Sequence, residues 1–259
     1  MNTQTAGDGT VGKALEILDA VAEFDRPVRF SELLQTSRYP KATLYRFLQT
    51  LTNQNMLTYD PGDGSYSLGL RLVRLAHAAW KHASLAPIAR PVLEELAAFS
   101  GETVHLAQYD DGHVVFVDKL RATDRFETLA QVGKVAPVYC TGVGKAMLAF
   151  LAPKRMQLAL RQQSYFKYTP ATHGSAESLM AELEVVRCEG VAFDRQEHEQ
   201  GIISIAAPIL TGDGRVIGAM SIATSTTRHT LDTLEAFRPA LLDAAEKIGA
   251  EATSWQFPA

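Results

Sequence analysis

The feature that most restricts the fold of this chain is an amphipathic helix pattern that begins after Pro40. Its apolar residues recur at the i, i+3, i+4 and i+7 spacing of one buried helix face: Leu44, Phe47, Leu48 and Leu51. At 100° per residue, the opposite face carries Lys41, Ala42, Tyr45, Arg46 and Gln49. Cations, aromatic hydroxyls and amides contact phosphates and base edges in the major groove of DNA. Taken alone, the pattern also fits an ordinary amphipathic helix with a solvated outer face.

The segments around this helix favour the DNA-binding interpretation. Upstream, residues 11–22 carry one apolar helix stripe, and residues 31–35 predict a short helix followed by a tight turn. Downstream, residues 56–59 and 65–68 read as strands around a turn rich in Asp, Pro and Gly. Three helices followed by a two-stranded wing predict a winged helix-turn-helix, whose third helix enters the major groove.

Charge supports DNA binding only at this local face. The chain has 25 Lys and Arg against 29 Asp and Glu, a net charge of −4, so its surface is not generally basic. No acidic residue occurs between Glu32 and Asp60, where a carboxylate would repel phosphates. We therefore predict that double-stranded operator DNA is bound by Lys41, Thr43, Tyr45, Arg46 and Gln49.

Length and apolar content predict two domains. A chain of 259 residues with 46% hydrophobic content can form one small and one larger core. We predict a DNA-binding domain over residues 1–70, a linker helix over residues 71–84 and a second domain over residues 85–259. The linker carries more apolar surface than a free spacer needs, which indicates contact with a second copy of the chain. The sequence predicts a homo-oligomer and leaves dimer and tetramer open.

Other bulk features indicate a cytoplasmic protein without a membrane partner. The polar amino terminus lacks a signal-peptide pattern, and the longest apolar stretch, residues 202–210, is too short to span a bilayer. The two cysteines, Cys140 and Cys188, lie far apart in the sequence, as is typical of a reducing compartment.

The second domain mixes hairpin and helix patterns. Strand patterns cover residues 103–109, 114–120, 128–132, 191–193, 203–210 and 216–223. Helix patterns cover residues 141–151, 153–162, 175–189 and about 230–250, the last with a kink expected at Pro239. Hairpins mixed with helices predict an α+β fold with an antiparallel sheet flanked by helices.

Several separated motifs resemble, in order, those of the IclR family of bacterial transcription regulators. In the first domain they are Glu32-Leu33, residues 39–48 (YPKATLYRFL) and residues 66–69 (YSLG). In the second they are residues 101–106 (GETVHL), 139–146 (YCTGVGKA) and 190–194 (GVAFD), then Glu197, Glu199, Gly201 and residues 206–208 (AAP). The resemblance covers nearly the whole chain. It departs from the usual family pattern at Arg38 (glycine), Ala42 (serine) and Ser204 (often cysteine).

The resemblance implies that the second domain is a GAF-like or PAS-like sensor that binds a small effector. It places the effector-binding positions at Gly142, Val143, Asp194, Ser204 and Ser221. Backbone amides at a glycine-rich helix start can hold an anion, although the same glycines could serve only close packing. Hydroxyls and a carboxylate nearby favour a small carboxylate ligand, and residues 139–141 resemble relatives that sense sugar acids or keto acids. Repression is the commoner family mode, and activation stays open.

An enzyme with the winged helix as a protein-docking module is the alternative from another functional class. Residues 141–145 do not form a phosphate-binding loop, because the first glycine and the Ser or Thr after Lys145 are missing. Cys140 and His105 could pair as nucleophile and base, and metal ligands could come from His173, His198 and Glu199, but no HExxH, CxxC or GxSxG motif supports either idea. The charged run from Arg195 to Glu199 is expected to be a solvated loop over the pocket. We expect no catalytic residues, cofactor or metal, and the sequence indicates neither the operator nor the effector.

Overall fold

The structure is a computed structural model that describes residues 9–121 and 127–252. The chain divides into two compact units, Met1–Lys81 and His82–Ala259, and this division falls within residues 71–84, the predicted linker. In the described ranges, no helix combines the length and apolar composition that a membrane crossing requires.

The first unit is a winged helix-turn-helix, as predicted. Strand β3 pairs antiparallel with both β1 and β2. The sequence pattern does not predict β1, because two residues are too few to show an alternation. The elements in chain order are α1 (Gly9–Ala22), β1 (Val28–Arg29), α2 (Phe30–Thr36), α3 (Lys41–Asn53), β2 (Leu57–Asp60) and β3 (Ser65–Leu68), followed by α4 (Leu70–Ala83). The apolar faces of α1 and α3 meet in one core with buried residues that include Leu18, Leu33, Leu44, Phe47, Leu48 and Leu57.

Arg38 occupies the turn between α2 and α3, where the family pattern has glycine. It is not among the non-glycine residues of the described ranges that adopt a positive φ, so its side chain causes no backbone strain. Its guanidinium pairs with Glu16 on α1, whose carboxylate also accepts a hydrogen bond from the Tyr39 hydroxyl. Arg38 therefore ties the turn to α1.

The second unit is built on an antiparallel sheet with the strand order β6-β5-β4-β9-β8-β7. This confirms the predicted α+β class. Its strands are β4 (Thr103–Asp110), β5 (His113–Leu120), β6 (Val135–Pro137), β7 (Ala192–Arg195), β8 (Ile202–Leu210) and β9 (Val216–Ser225). Its helices are α5 (Ala86–Ser100), α6 (Gly142–Phe150), α7 (Pro153–Gln162), α8 (Ala176–Glu189), α9 (Leu231–Glu235) and α10 (Arg238–Glu251), with a 3-10 turn at Val138–Cys140.

The two faces of this sheet carry different helices. Gly142 at the start of α6 lies against Ala206 on β8, and α8 packs on α6. Gly218 on β9 lies against Leu85, the residue before α5, and α5 packs on α10. Because Ala206 pairs with Ser221 and side chains alternate along a strand, these two contacts lie on opposite faces.

The prediction of a strand over residues 128–132 is wrong. These residues form no strand, and the edge of the sheet is instead β6, which pairs with the start of β5. The Thr128 hydroxyl forms hydrogen bonds with His105 and Lys119. A β-rich composition was therefore misleading here, because side-chain bonds fix this segment.

The prediction of one final helix is also wrong. The segment forms two helices, α9 and α10, which are separated at Ala236 and Phe237. Pro239 lies in the first turn of α10, where its missing amide hydrogen removes no helical hydrogen bond. The proline therefore marks a helix start and not a kink.

Candidate DNA interface and candidate ligand cavity

Helix α3 presents the predicted DNA-binding face to solvent. Lys41, Arg46 and Gln49 are exposed, and Tyr45 is 48% exposed. The Gln49 amide donates to the Tyr45 hydroxyl at 2.9 Å, which fixes the two polar side chains relative to each other. Thr43 is half-buried at the edge of this face, so it is less accessible than its four neighbours.

The start of α3 can also interact with phosphate. Pro40 provides no side-chain cap, and its carbonyl accepts the amides of Thr43 and Leu44. The amides of the first helical turn have no partner within the helix and attract anions. Lys41 lies at this end, so its positive charge adds to that of the helix start.

The wing turn carries negative charge. Asp60 accepts a hydrogen bond from the Gly62 amide at 2.7 Å, and Asp63 accepts one from the Ser65 amide at 3.0 Å. The hydrogen bonds from Ser65 lower the pKa of Asp63, which keeps this carboxyl group ionised. Carboxylates repel DNA phosphates, so the turn opposes close approach to the backbone and leaves α3 as the cationic contact surface.

A cavity opens on the α6 side of the sheet in the second unit. Its empty volume is about 420 Å³, including the open mouth. All five predicted effector-binding residues line it. The full lining is His105, Phe116, Thr128, Ala130, Thr141, Gly142, Val143, Asp194, His198, Glu199, Ile202, Ser204, Ser221 and Ala223.

The two glycines at the start of α6 do different things. A Cβ at Gly144 would lie 2.4 Å from the Val138 carbonyl oxygen, so Gly144 permits close backbone packing. A Cβ at Gly142 would lie 2.7 Å from the Ser204 hydroxyl, so Gly142 leaves room at the cavity. The Thr141 hydroxyl accepts a hydrogen bond from the Gly144 amide, which fixes the first turn of the helix.

Strand register brings the polar residues of the sheet to the cavity. Asp194 on β7 pairs with Ser204 on β8, and Ser221 on β9 pairs with His105 on β4. Ser204 and Ser221 face the same side because β8 and β9 pair Ala206 with Ser221, and residues two apart share a face. Four separate strands therefore supply one group of donors and acceptors under the start of α6.

His105 and Thr128 close one side of the cavity. The Nε2 atom of His105 lies 3.1 Å from the Thr128 hydroxyl oxygen, and its Nδ1 atom lies 3.5 Å from that of Ser221. Burial and the charge of Lys119 lower the pKa of His105 to about 3, so the imidazole is neutral at physiological pH. The Leu129 amide donates to Glu199 at 2.9 Å, which joins this segment to the loop after β7.

Asp194 is the buried acid of the cavity. Its Oδ1 atom accepts a hydrogen bond from the Glu197 amide at 2.8 Å. Burial, together with the nearby Glu197 carboxylate, raises the pKa of Asp194 to about 7. This group therefore changes charge near neutral pH.

A buried ion cluster lies next to Asp194. The Lys145 ammonium is 0% exposed and contacts Glu182 at 2.6 Å and Glu197 at 2.5 Å. Burial alone would raise the pKa of Glu182, but hydrogen bonds from His173 and the charge of Lys145 lower it to about 2. Glu197 is buried, which corrects the expectation that the whole run from Arg195 to Glu199 is solvated. A lysine on an otherwise buried helix was the sequence signal for an acidic partner.

This cluster does not favour a metal ion. Ligand atoms of His173, Glu182 and Glu197 lie within 4.8 Å of one another. However, Lys145 already neutralises both carboxylates, and Arg195 contacts Glu182 at 2.8 Å. A divalent cation would be repelled by both of these charges. The trio differs from the set considered from sequence, since His198 and Glu199 line the cavity.

Cys140 and His105 lack the properties of a nucleophile and base. Cys140 is fully buried, and its burial, with the charges of Asp194 and Glu197, raises the pKa of its thiol. A thiolate nucleophile needs a lowered pKa and access to substrate. The depressed pKa of His105 makes this residue a weak base.

Sequence reasoning identified five of the cavity residues and missed several others. Thr141 caps α6, and Phe116 and Ile202 are apolar strand residues, for which the sequence offers no functional signal. His105 and Glu199 belong to the motifs that carry the family resemblance, but their place at the cavity depends on strand register and on a loop contact.

Two models of protein families match this chain. Residues 10–61 match the IclR helix-turn-helix domain, and residues 77–250 match the bacterial transcriptional regulator IclR C-terminal domain. Among curated relatives, the regulator XynR of Escherichia coli K12 is 32% identical over 235 residues, which cover 91% of this chain and 93% of XynR. The regulator KdgR of the same organism is 30% identical over 258 residues, which cover 100% of this chain and 98% of KdgR.

Solved structures of similar proteins share the fold. The IclR protein of Thermotoga maritima has a TM-score of 0.74 and 27% identity, with 94% of this chain and 98% of that chain covered. An IclR homolog of Microbacterium hydrocarbonoxydans, solved in complex with 4-hydroxybenzoate, has a TM-score of 0.75 and 25% identity, with 91% and 97% covered.

Proposed function

The chain belongs to the IclR family of bacterial transcriptional regulators, and from this premise we propose that it is a cytoplasmic repressor whose operator binding is controlled by a small organic acid. The observation that carries this proposal is the pairing of an exposed cationic recognition face on α3 with a closed polar cavity in the second unit. The fold supplies a DNA reader and a ligand site in one chain.

The DNA part of the proposal depends on α3. In a winged helix-turn-helix, this helix enters the major groove. Arg46 can form two hydrogen bonds with a guanine edge, and Gln49 can do so with adenine. Lys41 acts through phosphate attraction. Thr43 is the weakest of the predicted contacts, because it is half-buried.

The ligand part depends on the start of α6. The Gly142 and Val143 amides belong to its first turn and line the cavity. An anion bound there gains hydrogen bonds and the helix dipole. Ser204 and Ser221 can donate hydrogen bonds to the same ligand. A relative's complex with 4-hydroxybenzoate supports a carboxylate for this chain as well.

Self-association is part of the proposal. On α4, Leu70 is 78% exposed and Val73 is 63% exposed, and on α1, Val11 and Leu15 are also exposed. Large apolar side chains on two helices of the DNA-binding unit favour burial against a second copy. A symmetric dimer would then recognise a roughly palindromic operator.

The test is fluorescence anisotropy with DNA from the region upstream of the protein's own gene, over a salt series. We expect selective binding that Arg46→Ala weakens about tenfold or more and that Lys41→Ala weakens with a salt slope reduced by about 1 per contact. Lys154→Ala on α7 is the matched control, since it removes an exposed cation from the other unit.

A panel of small carboxylic acids added to the same assay tests ligand control. An acid that shifts operator affinity supports the proposal. Weak binding that is indifferent to DNA sequence, unchanged by Arg46→Ala and by every acid, contradicts it. Turnover of a small molecule that is lost in Cys140→Ala or His105→Ala would favour an enzyme instead.

A further inference from the structure

The geometry of Asp194 restricts how a carboxylate can enter the cavity. Its side chain is almost buried, with 8% of the residue exposed, and lines the same cavity as Gly142 and Val143. A Cβ built on Gly142 would lie 3.5 Å from the Asp194 amide nitrogen, so the start of α6 is adjacent to β7. A ligand carboxylate held at the α6 amides would therefore lie against the Asp194 carboxyl group.

The interior side of Asp194 carries both signs of charge. The carboxylates of Glu197, in the loop after β7, and Glu182, on α8, disfavour a charged Asp194. The Lys145 ammonium on α6 favours it, and the Glu197 amide donates a hydrogen bond to it. Cys140 also interacts with Asp194, but burial keeps its thiol protonated. Lys145 is already shared between the two glutamates, so its charge is not free for Asp194.

The cavity side adds two imidazoles and one more carboxylate. Glu199 and His198 line the cavity from the loop after β7, and His105 lines it from β4. Burial lowers the pKa of both His198 and His105, so neither is a strong source of positive charge at neutral pH. Lys119 on β5 donates to Thr128 and Ala130 at this wall.

Two ionised carboxylates at hydrogen-bond distance repel each other, and a shared proton removes this repulsion. Protonated Asp194 offers an O–H donor, whereas ionised Asp194 offers acceptors only. The environment described above makes that protonation inexpensive, because the pKa of Asp194 is already about 7. The acidic form of the residue is thus available to a ligand near neutral pH.

We propose that the cavity binds its carboxylate ligand together with one proton, which Asp194 retains and donates to the ligand in a hydrogen bond. This inference rests on the proposed function, because it takes the cavity as the site of a small carboxylate. Asp194 is then the residue that makes ligand affinity depend on pH. A rise in pH weakens the ligand, because binding must take a proton from a more alkaline solution.

The test is isothermal titration calorimetry of the full chain with pyruvate, gluconate and 4-hydroxybenzoate. Titrations at pH 8 in phosphate and in Tris, which differ in ionisation enthalpy, give the number of protons taken up. We expect about 0.9 proton per ligand, and a Kd that weakens about 25-fold from pH 6.5 to pH 8.5. Across this window His198 remains mostly neutral, because its pKa is lowered from 6.5.

Two variants locate the proton. Asp194→Asn keeps an oxygen that can accept the Glu197 amide and adds an N–H donor, so we expect binding without proton uptake and with a Kd that changes less than about twofold over the same pH range. Glu199→Gln removes the other carboxylate of the lining and should retain the uptake. Circular dichroism and operator binding check that both variants fold.

The outcomes separate this inference from the proposed function. A panel acid that binds without proton uptake overturns the inference and leaves the proposed function standing. Uptake that persists in Asp194→Asn overturns the assignment to Asp194. If no panel acid binds at millimolar concentration, the carboxylate assignment fails, and the inference fails with it. Should Asp194→Asn not fold, the uptake measured on the unmodified chain decides.

Discussion

At the residue scale, Asp194 links the pH of the solution to the stability of the fold. Its pKa rises from 3.8 in the unfolded chain to about 7 in the folded one. Between these values the folded state binds more protons than the unfolded state, so a rise in pH destabilises the fold. The contribution of the protonated group is complete below pH 3.8 and is lost as pH rises through about 7.

We therefore expect Asp194→Asn to gain stability relative to the unmodified chain as pH rises. From pH 5 to pH 8 the difference in the free energy of unfolding should change by roughly 2 to 3 kcal/mol in favour of the variant. Urea unfolding at the two pH values measures it. Asp110→Asn, at an exposed carboxylate, is the control, and an equal pH dependence in both variants would contradict the assignment.

Single residues also mark where sequence reasoning stops. Lys145 stood in a recognised motif, and its charge indicated that some acidic partner had to be present. Which acids would bind it was not predictable, because Glu182 and Glu197 lie 37 and 52 residues further along the chain. Conversely, the exposed face of α3 was predictable residue by residue, because helical periodicity alone determines it.

At the element scale, the start of α6 separates folding from ligand binding. Gly144→Ala should destabilise the second unit by about 1 to 3 kcal/mol or more, because its Cβ would lie 2.4 Å from a backbone oxygen that cannot move freely. Gly142→Ala should weaken ligand binding while leaving stability nearly unchanged, because its closest neighbour is the Ser204 hydroxyl, which can rotate.

Thermal unfolding and calorimetry on the two variants distinguish the effects. Gly212→Ala is the matched control, since a Cβ there meets nothing within 4 Å. If Gly142→Ala lost stability as severely as Gly144→Ala, both glycines would serve packing alone, and the cavity role of Gly142 would be wrong.

Elements were predicted well where they were long and periodic. The strands of the second unit from β7 to β9, and helices α6, α7 and α8, agree with the patterns to within one or two residues. The two errors have different physical causes. Residues 128–132 are held by side-chain hydrogen bonds that no periodicity reports, and Pro239 can either kink a helix or begin one.

At the scale of the whole molecule, ligand control requires thermodynamic reciprocity. If a carboxylate weakens operator binding by some factor, operator DNA must weaken carboxylate binding by the same factor. We expect a factor of about 5 to 150, which is the usual range of such coupling. Calorimetric titration of the ligand into the free chain and into the operator complex measures it.

The control for this prediction is DNA of the same length without the operator, which should leave ligand affinity unchanged at the same salt. Unequal factors in the two directions would show that the assays do not observe the same two states. A factor of one in both directions would contradict ligand control of DNA binding altogether.

The division into two units was foreseeable in outline, because the helix-turn-helix pattern and the alternating strand patterns occupy separate stretches of sequence. The cavity was not foreseeable as a shape. It forms because strands that are distant in sequence become neighbours in the order β4-β9-β8-β7, and one sequence carries no direct record of that order.

Every residue that lines the cavity lies between positions 105 and 223, and every residue of the recognition face lies between positions 41 and 49. The two specificities are therefore written in separate, uninterrupted blocks of the gene. A crossover between related genes anywhere from codon 69 to codon 85 would exchange one block whole and leave the other intact. Such recombination can join a new input to an existing promoter in one event, and the same property makes the sensing half a portable part for engineered biosensors.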